Sequence, residues 1–577
     1  MINSFKREEE EKEETFEGDE LSVICRIAKK QLERGMSRVN FEFSTRKEIS
    51  FFTNFLKTRK FEGVKSINLV KGSLQEEDFN EFVEALQNCP NVEVLSIEFK
   101  QKIHHRECST LFSNFFHRTH SLRTVKFSSS TYQGLEIFLE ALLGQNHVEK
   151  LFLHRTNCFS EKAEQLLLKI LEEGALKELD IDWMELPNPE MLMHSVEKSK
   201  KLQSISYKYY YTQRIGSFPI GNKNLTSIAL GEIEISRNVE QEIGKYIAES
   251  KSLTLLKIKV HKSFIINFFE SLNKNSSLRS LSLEDSGLDS ESVPLITELL
   301  QSNTNLSELN LSWNYLKDSC KEIFVSLKYN THLTSIDLSK NGITLDNAAF
   351  ISEMLLQNKK LTNLNISRNP IEEGMLKIFD SLKTNNTLKT FLCNLTMRDY
   401  YEKKEISQML RENCSLTRIN CCENWIGIQD AKKIFEALSE NENLQELAID
   451  YIDKENQVNG AVCSLIRRNR TLQKLNFFQM LFSVEGIRDI ADALQENFTL
   501  IELNLTCVEK DDSKVLLNRT LEKTFENEWI SEADKQAKLI MMILQRRRDG
   551  NIVSHLPRRL LIQMLTFLEK VNVRRKK

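Results

Sequence analysis

The chain reads LSELNLSWN at 306–314, LTSIDLSKN at 333–341 and LTNLNISRN at 361–369. Each stretch puts apolar side chains at offsets 0, 3 and 5 and Asn at offset 8. Outward from these, the apolar frame starts at Met36, Val64, Val92, Leu122, Val148, Leu176, Leu202, Leu225, Leu253, Leu278, Leu306, Leu333, Leu361, Leu388, Leu416, Leu444, Leu472 and Leu500. That makes 18 copies, most of them 27 or 28 residues apart, with spacings between 23 and 30. A period in this range marks stacked supersecondary units, because one unit cannot bury its own apolar face.

Inside a copy the period changes. Offsets 3 and 5 alternate as in a short strand, with the residues between them facing the other way. The second half, as in DNAAFISEMLLQN (346–358), is apolar at helical spacing. Each copy therefore reads as a strand followed by an antiparallel helix, stacked into a parallel sheet lined by helices. Asn275, Asn303, Asn330, Asn358, Asn385, Asn413, Asn441, Asn469 and Asn497 each lie three residues before the next frame. The helix must end there, and Asn is expected to end it by adopting the left-handed conformation. Asn314, Asn341, Asn369 and Asn424 at offset 8 are expected to hydrogen-bond the turn after the strand.

The pattern LxxLxLxxN, with 27–28-residue helical units and a helix-ending Asn, resembles the ribonuclease-inhibitor-type leucine-rich repeat. That class occurs in NOD-like receptor sensing regions, Ran GTPase-activating proteins and repeat effectors of intracellular bacteria. The resemblance implies an α/β leucine-rich-repeat solenoid, a curved horseshoe with an inner parallel sheet and outer helices, about 18 repeats and helical caps at both ends. On this reading residues 1–18, with EEEEKEE at 8–14, are an acidic disordered tail, and 19–35 are an N-terminal capping helix. Residues 36–510 are the solenoid, and 511–577 a C-terminal helical cap with a basic tail.

The first half departs from the pattern. Offset 8 holds Ser130, Thr156 and Tyr210, and the unit starting at Leu202 has only 23 residues. Its stretch YKYYYTQRIGSFPIGNKN (207–224), Tyr-rich and then Gly/Pro-rich, is expected to replace a helix by an irregular loop.

Composition narrows the function class. Net charge is −3, with 40% apolar and 28% charged residues, so nothing points to nucleic acid or an anionic membrane as partner. No run reaches the roughly 18–20 apolar residues that cross a bilayer. The charged start MINSFKREEEEKEE lacks the apolar core of a secretory signal. The eleven cysteines show no disulfide-like spacing, and Cys393 and Cys421 fall at core offset 5. A reducing compartment follows: cytoplasmic, or nuclear, or a host cytoplasm if the chain is an effector.

Catalytic signals are thin. GSFPIGNK (216–223) falls short of a phosphate loop, since Asn222 precedes Lys223 and no hydroxyl follows. His105, Cys108, His117 and His120 have ligand types that suit zinc. Cys108 and His117 are nine positions apart on the expected helix, which puts them about 13 Å apart, too far for one ion. No enzyme activity, cofactor or metal is expected, and a small-molecule ligand is not favoured.

Binding signals are richer. Offsets 2, 4, 6 and 7 are expected on the concave face, bringing up Lys150, Phe152, His154 and Arg155, then Glu178, Asp180, Asp182 and Trp183, then Ser204, Ser206, Lys208 and Tyr209. Exposed aromatics beside charges of both signs have the composition of a protein-binding hot spot. Neighbouring strands lie about 5 Å apart, which would make Arg155, Trp183 and Tyr209 near neighbours. A second cluster is Asp285, Glu308, Asn310 and Trp313, and a third is Tyr451 with Phe478. The reading is an intracellular protein-interaction scaffold. Alternatives are a regulator of another enzyme, such as a GTPase activator or inhibitor, and a bacterial effector in a host cell. LPRRLLIQMLTFLE (556–569) resembles the opening helix of an F-box, which implies a third alternative, a ubiquitin-ligase substrate receptor.

Overall fold

The computed structural model describes residues 37–505 apart from 44–45, 59, 72–75, 100–106, 130–131, 155–158, 398–403, 425, 451–456, 479–483, 498 and 501, together with Ala28, Lys29 and Leu32. The expected acidic tail, the C-terminal cap, the F-box-like helix and nearly all of the N-terminal capping helix lie outside the described residues. Two compact units meet the description, one ending at Leu278 and the other starting at Arg279.

The first unit is built on nine parallel strands in chain order: β1 Arg38–Phe43, β2 Ser66–Lys71, β3 Val94–Phe99, β4 Thr124–Ser129, β5 Lys150–His154, β6 Glu178–Asp182, β7 Ser204–Ile215, β8 Ser227–Ile235 and β9 Leu255–Lys257. The second has β10 Ser280–Ser282, β11 Glu308–Asn310, β12 Ser335–Asp337, β13 Asn363–Asn365, β14 Thr390–Leu392, β15 Arg418–Asn420, β16 Glu446–Asp450, β17 Lys474–Phe478 and β18 Glu502–Leu505, again parallel and in order. A helix follows almost every strand, as stacked leucine-rich repeats require. Among the described residues no helix is long and apolar enough to cross a membrane.

The core is the apolar frame itself. Leu306, Leu309 and Leu311, at offsets 0, 3 and 5, are 4%, 2% and 0% exposed, and the same offsets are buried repeat after repeat. Cys393 and Cys421 occupy offset 5 as small buried side chains.

The helix-ending asparagines work by a different device from the one expected. Asn275, Asn303, Asn330, Asn358, Asn385, Asn441 and Asn469 have φ between −84° and −66°, which is extended backbone rather than left-handed. Their side chains do the work. In Asn330 the amide Nδ2 donates to the Leu300 carbonyl of the preceding repeat at 2.6 Å, and Oδ1 accepts from the backbone nitrogens of His332 and Leu333. One buried amide thus satisfies groups on two repeats, which a left-handed glycine could not do. Asn222 does the same in the first unit, donating to the Val196 and Ser199 carbonyls and accepting from Asn224, although no helix precedes it.

The offset-8 asparagines behave as expected and also reach across repeats. Asn424 Oδ1 accepts from the Thr396 and Met397 nitrogens, and Nδ2 donates to the Cys393 and Cys421 carbonyls. At offset 4, Asn310, Asp337, Asn365 and Asn420 each accept the backbone N–H two residues on, an Asx turn that bends the chain out of the strand. Strands β11, β12, β13 and β15 are three residues long and end at this residue.

The short repeat keeps its strand and loses its helix. The Tyr-rich half extends β7 instead of forming a loop, and 216–224 then runs to β8 without a helix. Lys208 pairs with Gly231 and Gln213 with Ile233, so Tyr209–Thr212 bulge against the single residue Glu232.

Candidate functional site

Strands β4 to β8 carry the predicted binding residues. The repeats starting at Val148 and Leu176 have Thr156 and Met184, not Asn, at offset 8, and Met184 is buried. No ladder amide cuts the strand short there, so β5 and β6 stay extended through offset 6. Two cross-strand rows result: Lys126–Phe152–Asp180–Ser206–Ala229 and Ser128–His154–Asp182–Lys208–Gly231. Phe152, Asp180 and Asp182 are half-buried, alternating with fully buried Leu151, Leu153, Leu179 and Ile181. The structure therefore brings Phe152, His154, Asp180, Asp182 and Lys208 onto one surface.

The charges on that surface are partly matched. Lys150 and Glu178 pair at 2.6 Å across β5 and β6. Lys126 Nζ stands 5.1 Å over the centroid of the Phe152 ring, a cation–π contact. The His154 and Phe152 rings are 6.3 Å apart, and His154 Nε2 lies 3.7 Å from Asp180 Oδ2. That separation is too long for a hydrogen bond. Four shielded atoms have no hydrogen-bond partner: His154 Nε2, Asp180 Oδ1, Asp182 Oδ1 and Ser206 Oγ.

Trp183 closes the site, but not as a strand residue. Its φ is +62°, its N–H donates to the Lys208 carbonyl at 3.0 Å, and it is 48% exposed. Offset 7 takes this left-handed turn in other repeats as well, at Asp285, Trp313, Lys340, Arg368, Leu395 and Glu423. For an L-residue the turn costs about 1–2 kcal/mol. Offset 7 therefore belongs to a turn beside the sheet rather than to the sheet face. The turn is fixed from below by Tyr207, which is fully buried and whose Oη accepts the Leu186 N–H at 3.4 Å. Sequence reasoning passed Tyr207 over, although it stands at core offset 5 in the Tyr-rich stretch. Tyr209 opens the β7 bulge, and Arg155 lies outside the described residues.

The other candidates fare differently. Trp313 lies in the second unit, 42% exposed at φ +60°, with Lys340 Nζ 3.0 Å from its ring centroid. Its proposed neighbours are spent on the repeat: Asn310 accepts the Ser312 N–H, and Glu308 accepts from Ser280 Oγ at 2.9 Å. Phe478 ends β17 in register with Asp450, and Tyr451 lies outside the described residues. His105 is also outside them. His117 and His120 have rings 6.4 Å apart, and His120 and His147 rings 5.9 Å apart. Burial, then the neighbouring His120 and Arg123, holds the His147 imidazole below its usual range. Among the described residues no three His, Cys, Asp or Glu side chains are grouped to hold a metal ion. The glycine-rich loop is already filled by carboxylates. Gly221 donates its N–H to Glu197 Oε1 at 2.9 Å, and a Cβ at Gly216 would meet Glu190 Oε1 at 2.4 Å.

No family model matches the chain. It is 26% identical over 259 residues to NACHT, LRR and PYD domains-containing protein 14 of Mus musculus, covering 43% of this chain and 26% of that protein. To Protein CARMIL of Dictyostelium discoideum it is 24% identical over 330 residues, covering 50% of this chain and 31% of that one. The chain thus spans about a quarter to a third of the length of these relatives. Among solved structures, the TLR13–ssRNA13 complex is matched at a TM-score of 0.43 with 12% identity, over 79% of this chain and 58% of that one. The yeast Rad7–Elc1 complex is matched at a TM-score of 0.38 with 15% identity, over 66% of this chain and 93% of that one.

Proposed function

We propose that this chain, a leucine-rich-repeat protein by its repeated units and its relatives, is a non-enzymatic scaffold that binds a protein partner on the helix-free face of its first unit. The binding surface is Phe152, His154, Asp180, Asp182, Lys208 and Trp183, and the expected contributions of Arg155 and Tyr209 are left to the test below. One observation carries the reading: Trp183 holds a large apolar ring half exposed, on a backbone conformation that disfavours it, beside shielded polar atoms with no internal partner. Such a position costs the fold stability, and an unstrained residue would serve the turn better. Aromatic anchors beside desolvated polar groups carry most of the energy of protein interfaces.

The test is affinity capture with the wild type against a Trp183→Ala/Tyr209→Ala variant, monitored by circular dichroism. Loss of a partner that the wild type retains, with the native spectrum preserved, is expected. Undiminished capture by a natively folded variant would overturn this assignment of the face.

A further inference from the structure

We propose that the joint between the repeats starting at Val148 and Leu176 binds a primary carboxamide, supplied by a small free amide or by an asparagine or glutamine side chain of a partner. The residues that carry the site precede β5 and β6, and none of them belongs to the proposed partner face. The site therefore stands or falls independently of that face.

In the second unit the helix-end amide fills a fixed set of contacts. Asn358 Nδ2 donates to the Leu327 and Asn330 carbonyls, and Oδ1 accepts the Lys360 and Leu361 N–H groups. Counted from the repeat frame, the same four places at this joint are held by Leu142, Gln145, Ala175 and Leu176, and Glu173 stands where Asn358 stands. Glu173 is exposed and ends the helix Glu161–Glu173, with the Gly174 N–H closing that helix on the Ile170 carbonyl. Ala175 and Leu176 are buried, yet among the described residues their N–H groups have no acceptor. Buried backbone donors are almost always paired, since an unpaired one costs as much as a lost hydrogen bond. A cavity of about 120 Å³ opens at this place, and Leu142, Gln145, Glu173, Ala175 and Leu176 all line it. An engineered apolar cavity of about 150 Å³ admits benzene, so a carboxamide on a short stem fits here.

The lining selects an amide over other small polar groups. The Ala175 and Leu176 N–H groups call for one acceptor oxygen between them, as Asn358 Oδ1 serves Lys360 and Leu361. On the other side the Leu142 carbonyl accepts the Gln145 N–H at 3.0 Å, and the Gln145 carbonyl accepts the Val148 N–H at 3.3 Å. Each carbonyl has a second lone pair. Leu327 uses both of its own, accepting the Asn330 N–H at 3.2 Å and Asn358 Nδ2 at 2.6 Å. A primary amide brings one acceptor and two donors in a plane, which matches this set. A carboxylate has no donor for the two carbonyls and meets the Glu173 carboxylate at the rim. An ammonium has no acceptor for the two N–H groups. Val148, Leu151 and Ile170 supply apolar wall for the stem that carries the amide.

The test follows hydrogen exchange at the Ala175 and Leu176 amides in the full chain. Propionamide at about 100 mM should slow it about tenfold, as an occupancy near nine-tenths requires, whereas propionate and propylamine should not. Glu173→Asn places the amide within the chain itself. That variant should show slowed exchange at both amides without ligand, a raised thermal midpoint and no further protection from propionamide. Glu173→Ala, which removes the carboxylate and fills nothing, should keep the protection. Unchanged exchange in the wild type would mean that the cavity holds water only, and it overturns the proposal. Equal protection by propionate overturns it, as does undiminished protection in Glu173→Asn. Protection lost in Glu173→Ala as well would trace the effect to the carboxylate and overturn it too. A Gly-Gly-Asn-Gly-Gly peptide, set against its Asp counterpart, separates the two sources. Protection by the Asn peptide and propionamide assigns the site to a partner's side chain, and protection by propionamide alone assigns it to a free amide.

Discussion

The side-chain amide of Asn358 donates to the carbonyl of Leu327, one repeat earlier, at 2.6 Å, while its Oδ1 accepts the Lys360 and Leu361 N–H groups at 2.8 and 2.7 Å. The residue is 2% exposed, so water cannot replace it. The same contact recurs from Asn413 to Leu382, from Asn441 to Leu410 and from Asn469 to Leu438. In these repeats the ladder therefore joins each one to its predecessor through polar atoms as well as through the apolar core.

Asn358→Ala removes a donor from the Leu327 and Asn330 carbonyls and takes the acceptor from the Lys360 and Leu361 amides, and a buried polar group left unpaired costs about 1–3 kcal/mol. Hydrogen exchange at Lys360 and Leu361 should quicken strongly, with exchange at the distant Gln473 amide little changed. Asn358→Asp should be worse, since it replaces the donor by a second acceptor facing the Leu327 carbonyl. Unaltered exchange at Leu361 would show that the ladder amide is dispensable.

Trp183→Asn places at φ +62° a residue that tolerates the left-handed region. The thermal midpoint should hold or rise while partner capture is lost. A fall in midpoint larger than that of Trp183→Ala would mean that the ring is there for packing rather than for binding.

Alkaline pH should weaken the fold. Burial pushes the Cys89 thiol up to about 12 and the Cys463 thiol up to about 11, and it raises the Tyr246 phenol to about 12. Unfolded thiols release their protons near 8.5. Between these values the unfolded chain binds fewer protons than the folded one. The stability is thus fully present below about pH 8.5 and is lost as pH climbs towards 12. The urea midpoint should decline over this window, less steeply in a Cys89→Ala/Cys463→Ala variant. Identical slopes would place the alkaline sensitivity in other groups.

Thiol labelling should separate surface from core. Cys414 is exposed, whereas Cys89, Cys320, Cys393, Cys421, Cys422 and Cys463 are buried. With iodoacetamide and peptide mapping, Cys414 should react first, and these six should follow only on unfolding. Early modification of Cys393 or Cys421 would contradict their place in the core.

Much of the fold is legible along the chain because the repeat restates it. Leu306, Leu309 and Leu311 sit in the core for the same reason as Leu333, Ile336 and Leu338. The position of each helix stop is equally legible, but its device is not. Asn is common in left-handed turns, and the alternative, a side chain bonded to a carbonyl about 30 residues back, shows only once the repeats are stacked. The site is legible in part. Phe152, Asp180 and Lys208 could be named from their offsets, since strand alternation is local. Trp183 shares the offset numbering but not the strand, because the turn begins one residue earlier.

By itself, the sequence determined the period, the core positions, the helix ends and the place where the pattern breaks, because each depends on spacing within a few residues of one chain. Only the tertiary structure decided that the 23-residue repeat gives up its helix while its strand stays in register, that the Lys208 stem packs against Gly231, and that Trp183 stands half exposed on a left-handed turn. Those outcomes depend on what lies alongside each residue on the neighbouring strand. Lateral neighbours in a parallel sheet come from a repeat away, and their lean is set by the side chain, or the lack of one, that they meet there.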